Sequence, residues 1–290
     1  MNWTDRRARM RALLQGEGCI HPASVHDPVS ARLAQDIGFE AGMLAGSVAS
    51  LAVLGAPDLI LLTLSEFADL ALRINRATDL PMMADADHGY GNALNVMRTV
   101  QELEAAGIAA LTIEDTALPR PFDEAAARPV SIAEGLGKMK AAVAGRSDPN
   151  LVILARTGAI GMTGLEDTLE RIRAYGQSGV DGIFLSGVRT RAEVAAIQAA
   201  TKLPIVLGTL TPEIEDRAFL AAHGVRIALQ GHAPFMATIE ALRATYQALR
   251  EGTSPADLKG MPSDALVKKV SRDADWRAAT NAFLMPCLRP

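Results

Sequence analysis

The sequence is poor in cysteine, poor in aromatic residues, without a block of basic residues and without a long apolar run, and each shortage removes a class of protein. Its two cysteines, Cys19 and Cys287, lie at opposite ends with no C-x-x-C spacing, which argues against a cysteine zinc site or redox pair and predicts reduced thiols. Neither is a good nucleophile candidate. Lys and Arg form no cluster and the net charge is −4, so neither nucleic acid nor an anionic membrane is expected as the main partner. No apolar run reaches the roughly 18 residues of a membrane span, and the start M-N-W-T-D-R-R-A-R-M-R lacks the apolar core of a signal peptide. A cytoplasmic protein working on a small molecule is expected.

What is present is an alternation. Short apolar runs occur at Cys19–Ile20, Ala41–Ala45, Pro81–Ala84, Ala110–Ile113, Leu151–Ala155, Gly182–Leu185, Pro204–Leu207 and Val225–Leu229. Amphipathic stretches such as Ala93–Ala106 and Leu165–Ser178 lie between them and close on Gly107 or Gly179, glycines placed to stop a helix before the next strand. Continuous apolar strands alternating with helices mean a parallel sheet covered on both sides. Eight such units predict a (β/α)8 TIM-type barrel spanning residues 1–250, with a C-terminal helical extension at 251–290 that includes Trp276 and Phe283.

Barrel enzymes assemble their sites at the C-terminal ends of the strands, and here those ends are polar. The third strand ends Asp85-Ala86-Asp87, the fourth Glu114-Asp115 and the fifth Arg156-Thr157, while the eighth leads to Gln230-Gly231-His232. Strand alternation places Asp85 and Asp87 on one side, and Glu114 on the neighbouring strand completes a carboxylate cluster. Clustered carboxylates repel unless a cation is present. With no His or Cys at soft-ligand spacing, the expected cation is hard: Mg²⁺, with Mn²⁺ as the alternative. Mg²⁺ keeps several waters, so Asp85 is expected to bind directly and Asp87, Glu114 and Asp58 of the loop G-A-P-D through water. The competing reading is that Asp85 or Asp87 merely caps the following turn.

Arg156 suits either a structural pair with Glu114 or the carboxylate of a substrate, and the two are compatible. Ser47, after the second strand in Gly46-Ser47, is either a carboxylate contact or a helix cap. Gly89-Tyr90-Gly91-Asn92 lacks the spacing and the lysine of a phosphate loop and reads as a turn with Asn92 as a cap. His21, His26 and His223 read as ordinary surface or packing residues. His232 differs, because beyond the eighth strand it can face the cation across the barrel mouth.

The combination of Ala45-Gly46-Ser47, M-A-D-A-D-H-G-Y-G-N at 83–92, A-L-T-I-E-D at 110–115 and A-R-T at 155–157 resembles the phosphoenolpyruvate mutase/isocitrate lyase superfamily, through nearly the whole chain. The order N-A-L-N-V-M-R-T-V followed by Q-G-H-A looks most like its bacterial oxaloacetate decarboxylase branch. The resemblance implies a metal-dependent enzyme acting on an α-keto diacid. It also implies a homotetramer, built as a dimer of dimers with the last helix exchanged between subunits. Ser47, Arg156 and His232 are implied as substrate contacts and Asp85 as the Mg²⁺ ligand.

Two departures refine that expectation. Superfamily lyases carry a Lys-Lys-Cys-Gly-His segment after the fourth strand, and the mutases a lysine and an asparagine. Here the loop reads T-A-L-P-R-P-F-D-E, which disfavours both chemistries. Relatives also continue A-R-T with Asn or Asp, whereas this chain has Gly158. Decarboxylation needs no loop base, because no proton has to be removed first. The alternatives are another C–C bond lyase or hydrolase acting on a 2-hydroxy or 2-keto diacid (a methylisocitrate-type lyase among them), and a non-catalytic barrel that keeps the pocket.

Overall fold

A computed structural model describes residues 3–285 of the chain; Cys287 lies outside the described residues. Eight strands follow one another: β1 (Ala23–Ser24), β2 (Gly42–Leu44), β3 (Met82–Asp85), β4 (Ala110–Glu114), β5 (Val152–Thr157), β6 (Gly182–Leu185), β7 (Ile205–Leu207) and β8 (Val225–Ala228). All pair in parallel and in sequence order. The strands are apolar along nearly their whole length because side chains on both faces are buried, as a sheet jacketed by helices requires. The fold is the expected (β/α)8 barrel. One boundary differs: Cys19–Ile20 is no strand of the ladder, and β1 begins at Ala23. Ile20 instead bridges Ile227, its amide donating to Arg226 O at 2.9 Å and its carbonyl accepting from Ala228 N at 3.0 Å, which ties the start of the ring to β8. The strand of the first βα unit has only two residues, too few to show periodicity, so composition alone misplaced it.

The helix Trp3–Gln15 covers the N-terminal ends of the strands, and it does so with arginines. Arg7 donates to Ile108 O at 3.1 Å and pairs with Asp148 at 3.0 Å; Arg11 pairs with Asp181 at 2.8 Å; Arg6 donates to Asn75 O at 2.6 Å. Each acceptor lies just before a strand or ends a preceding helix. The charged N-terminus is therefore a plug for the end of the barrel remote from the polar strand ends.

Beyond β4 the chain is anchored by a buried network. Asp115, fully buried, accepts from Arg171 Nη1 at 3.0 Å and from the Tyr175 hydroxyl at 2.7 Å, and Arg171 also donates to Val130 O at 2.9 Å. Gly135 makes room, since a Cβ there would lie 2.2 Å from the Tyr175 hydroxyl. Tyr175→Phe strips one donor from a buried carboxylate and should lower stability by about 1–3 kcal/mol, read from the shift in the urea midpoint. An unchanged midpoint would mean that the network contributes nothing to stability.

By internal packing the chain divides at residue 233: one unit runs Met1–Ala233 and the other Pro234–Pro290. The second unit contains the helices Ala233–Arg250, Asp264–Ser271 and Asp273–Phe283. No residue of Ala233–Arg250 is buried, and Met236, Ile239, Leu242, Tyr246 and Leu249 form an exposed apolar row at helical spacing. Among the described residues no helix is long and apolar enough to cross a membrane. Cys19 is buried and free, and burial pushes its thiol up to about 11, so it is a packing residue and no nucleophile.

Candidate active site

The strand order that closes the barrel also brings the polar strand ends together. In the ladder Glu114 faces Arg156, and Arg156 faces Phe184. From β5, Arg156 reaches both acids: its Nε lies 3.1 Å from Glu114 Oε2, and Nη1 pairs with Asp85 Oδ2. The guanidinium lies over the Phe184 ring, 5.4 Å from its centroid. Arg156 is thus engaged by two carboxylates, the structural role that the sequence allowed.

Asp85 is held firmly. Its Oδ1 accepts from the Thr112 hydroxyl at 3.2 Å and from the Asp87 amide at 3.1 Å. These donors fix the orientation of the carboxylate and leave lone pairs on both oxygens. Asp87 reaches the cluster by a route that strand alternation does not describe. It lies past the end of β3 with φ +47, a left-handed conformation rare for a residue with a side chain. Its carbonyl accepts from Glu114 N at 2.8 Å, and its carboxylate lies against Gly46 so closely that a Cβ there would be 2.8 Å from Oδ1. Tyr90, also at positive φ (+58), keeps a buried hydroxyl without a partner near the same acids. Strained residues and an unpaired buried donor gathered at one place are marks of a functional site.

Asp58, Asp87, Glu114 and Arg156 line one cavity of about 280 Å³ with Leu118 and Arg120 of the loop after β4. Larger cavities lie elsewhere, one of about 360 Å³ at the plugged end, but charge marks this one. Burial raises the Asp87 carboxyl well above the carboxylate range, and the charges of Asp85, Asp58 and Glu114 raise it further against the opposing Arg156. Burial also raises Glu114, opposed by Arg156, and raises Asp58, which Asp85 pushes up as well. Of the four carboxylates Arg156 pairs with two, Asp85 and Glu114, and the Asp87 carboxylate accepts no hydrogen bond among the described residues. An excess of hard oxygen donors with unsatisfied charge fits a divalent cation. Among the described residues no three His, Cys, Asp or Glu side chains converge as a ready cage.

The raised carboxyls have a consequence for stability. Their folded values lie above the unfolded ones, so as pH rises past about 4 the unfolded chain loses protons first and stability falls through that window. A cation that binds the ionised cluster should cancel the loss. Mg²⁺ is therefore expected to raise Tm more at pH 8 than at pH 5, measured by calorimetry; equal shifts at the two pH values would contradict the cluster as its site.

His232 follows β8, and its Nδ1 lies 3.0 Å from the Ser24 hydroxyl on β1, which leaves Nε2 for a ligand. Burial lowers its pKa, against the pull of Asp85 and Asp58, so the ring is neutral at neutral pH. Ser47 is no cap: Ala45 takes that position for the helix Gly46–Leu54, and the Ser47 hydroxyl has no partner among the described residues. Asn92 does cap the helix Ala93–Ala105. His21 is tied to Ala228 O at 2.8 Å and His223 to Phe219 O at 2.8 Å, packing roles as read from the sequence. The sequence reading missed Ser24 and Thr112, which orient His232 and Asp85, and the buried hydroxyl of Tyr90 beside the acids. Ser24 was hidden by the misplaced first strand.

The sequence pattern that defines the phosphoenolpyruvate phosphomutase family matches residues 10–250. An oxaloacetate decarboxylase of Bradyrhizobium diazoefficiens is 55% identical over 278 residues, 96% of each chain. Among solved structures, a phosphonopyruvate hydrolase in complex with oxalate and Mg²⁺ superposes with a TM-score of 0.85 at 30% identity, covering 98% of this chain and 100% of that one. An oxaloacetate acetylhydrolase bound to the inhibitor 3,3-difluorooxalacetate superposes with a TM-score of 0.85 at 28% identity, over 98% and 99% of the two chains.

Proposed function

This chain belongs to the phosphoenolpyruvate phosphomutase family, and we propose that it is a carboxy-lyase that converts oxaloacetate to pyruvate and CO₂ with Mg²⁺, or Mn²⁺ in its place, at the acidic cluster. The observation that carries the proposal is the cluster itself, four carboxylates of which two are paired with Arg156 at the barrel mouth, joined to a loop after β4 that offers no cysteine or lysine as acid or base. The relative named oxaloacetate decarboxylase, 55% identical, supports the choice of substrate.

A divalent cation bound at this cluster would supply a Lewis acid able to stabilise the negative charge that develops on the keto acid as C4 departs. The residues of this chain do the rest. Asp85, oriented by Thr112 and the Asp87 amide, would hold the cation directly, and Asp87, Glu114 and Asp58 would hold it through water. Arg156, fixed between Asp85 and Glu114, turns its remaining N–H groups toward the C1 carboxylate. The free hydroxyl of Ser47, in the first turn of its helix, binds the same end. The neutral His232, held through Nδ1 by Ser24, has Nε2 available to hydrogen-bond the substrate oxygen or to deliver a proton to C3. The exposed apolar row on Ala233–Arg250 supports assembly into a homotetramer, which sedimentation would report as about four times the mass of the chain.

The reading is tested on a panel of C3–C6 keto and hydroxy diacids with Mg²⁺, scored by product identity. Pyruvate and CO₂ from oxaloacetate are expected. Oxalate and acetate would select a hydrolase, cleavage of a hydroxy diacid another lyase, and binding without turnover a non-catalytic barrel.

A further inference from the structure

Gly158 has a structural consequence that concerns the other end of the substrate. Its φ is −107, a conformation open to any residue, so the backbone does not demand glycine here. Space does. A Cβ at 158 would lie 2.9 Å from Ser186 Oγ and 3.2 Å from Met162 Cε.

The ladder shows where that space lies. Arg156 and Phe184 are partners in the β5–β6 register, and the guanidinium over the ring shows that both face the interior of the barrel. Residues 158 and 186 directly follow Thr157 and Leu185, the last partners of the β5–β6 ladder, and so lie at the C-terminal ends of those strands. The short Cβ to Oγ distance agrees with that placement. The Ser186 amide is tied to Thr157 O at 3.3 Å, whereas its hydroxyl is half-buried and has no partner among the described residues. A free hydroxyl therefore stands at the ends of β5 and β6, two residues beyond Arg156 and Phe184, in room that glycine leaves open.

Charge indicates what the hydroxyl is for. The residues directly after β6, β7 and β8 read Ser186-Gly187, Gly208-Thr209 and Leu229-Gln230-Gly231-His232, without a lysine or arginine; the first cation past β6, Arg189, is exposed. The cavity of about 590 Å³ beside the ends of β7 and β8, lined by Thr209, Gln230 and Glu215 among others, has none either. One half of the mouth carries the acids and Arg156; the other offers, besides Glu215, neutral hydrogen-bonding groups and no cation.

We propose that Ser186, in the space left by Gly158, is the specificity-determining residue that receives the distal carboxylate of the diacid as a neutral donor. The inference rests on the decarboxylase reading. When the C3–C4 bond breaks, its electron pair stays with C3 and is delocalised onto the C2 oxygen, C4 leaves as neutral CO₂, and C3 then takes a proton. The distal carboxylate must lose its charge in this step. A cation there would hold the starting state more tightly than the transition state and slow the reaction, whereas a hydroxyl orients the group at small cost.

The test compares Ser186→Ala, Ser186→Thr and Ser186→Arg with the parent, using KM and kcat for oxaloacetate with Mg²⁺ and calorimetric affinity for oxalate, which has no distal arm. Ser186→Ala should raise KM about tenfold, the ordinary loss for a hydrogen bond to a charged group, and Ser186→Thr should stay near the parent. Ser186→Arg should lower KM and lower kcat at least tenfold. Oxalate affinity should not change in Ser186→Ala. If Ser186→Ala and Ser186→Arg both keep parental KM and kcat, or if Ser186→Ala weakens oxalate as much as oxaloacetate, the proposal is wrong while the decarboxylase reading stands. A parent that forms no pyruvate overturns both.

Discussion

Asp85→Ala should reduce turnover to the level of the metal-free protein while the chain still folds. The side chain lies at the end of β3, and both its oxygens serve other polar groups of the site: Arg156 on one, Thr112 and the Asp87 amide on the other. Removing it takes away the proposed direct contact to the cation and also frees Arg156 to swing. Asp87→Ala and Glu114→Ala remove groups that reach the cation through water, and losses of about 10–100-fold in metal affinity or activity are expected there. Thermal stability separates this from misfolding. The metal-free cluster is a concentration of like charge, so Asp87→Asn should stabilise the metal-free protein even as it impairs metal binding. Calorimetry decides the ligand assignment: Asp85→Ala that binds Mg²⁺ as the parent does would refute it.

His232→Ala should lower kcat/KM by about 10²-fold or more, with little change in metal affinity. The ring lies past β8, held by Ser24, and burial keeps it neutral, so Nε2 can donate or accept at neutral pH without a nearby thiol. His232→Gln separates two roles. A glutamine keeps a donor but cannot pass a proton, so it should recover much of the loss if the residue binds substrate and little if it protonates C3. Ser24→Ala should reproduce a smaller part of the same defect, because it loosens the ring without removing it. Parental rates in both His232 variants would make the residue one of packing.

The sequence was most legible where residue type and place contradict each other. A carboxylate at the end of an apolar strand has no reason to be there unless it works, and Asp85, Glu114 and Arg156 were readable on that ground; the barrel brings all three together. The eight apolar runs gave the fold, because a strand buried on both faces must be apolar throughout. What stayed hidden depended on backbone geometry. Asp87 joins the cluster through a left-handed turn, not through strand alternation. Ser24 is an ordinary serine until β1 is placed three residues past the apolar pair at 19–20. The arginines of the first helix look like a charged tail in sequence, since only the folded ring supplies the carbonyls they bind. Gly158 was visible as a departure, but its meaning needed the distance to Ser186.

The central claim is that a cation on the strand-end carboxylates stabilises charge that develops on a keto acid. Oxalate is a planar mimic of the pyruvate enolate and offers such a cation two oxygens, so it resembles the charge-developed state more than the substrate does. Titration of oxalate by calorimetry, with Mg²⁺ and again after removal of metal by a chelator, tests the claim most directly. Binding that competes with oxaloacetate and occurs only with Mg²⁺ is predicted; equal affinity without the metal would contradict it.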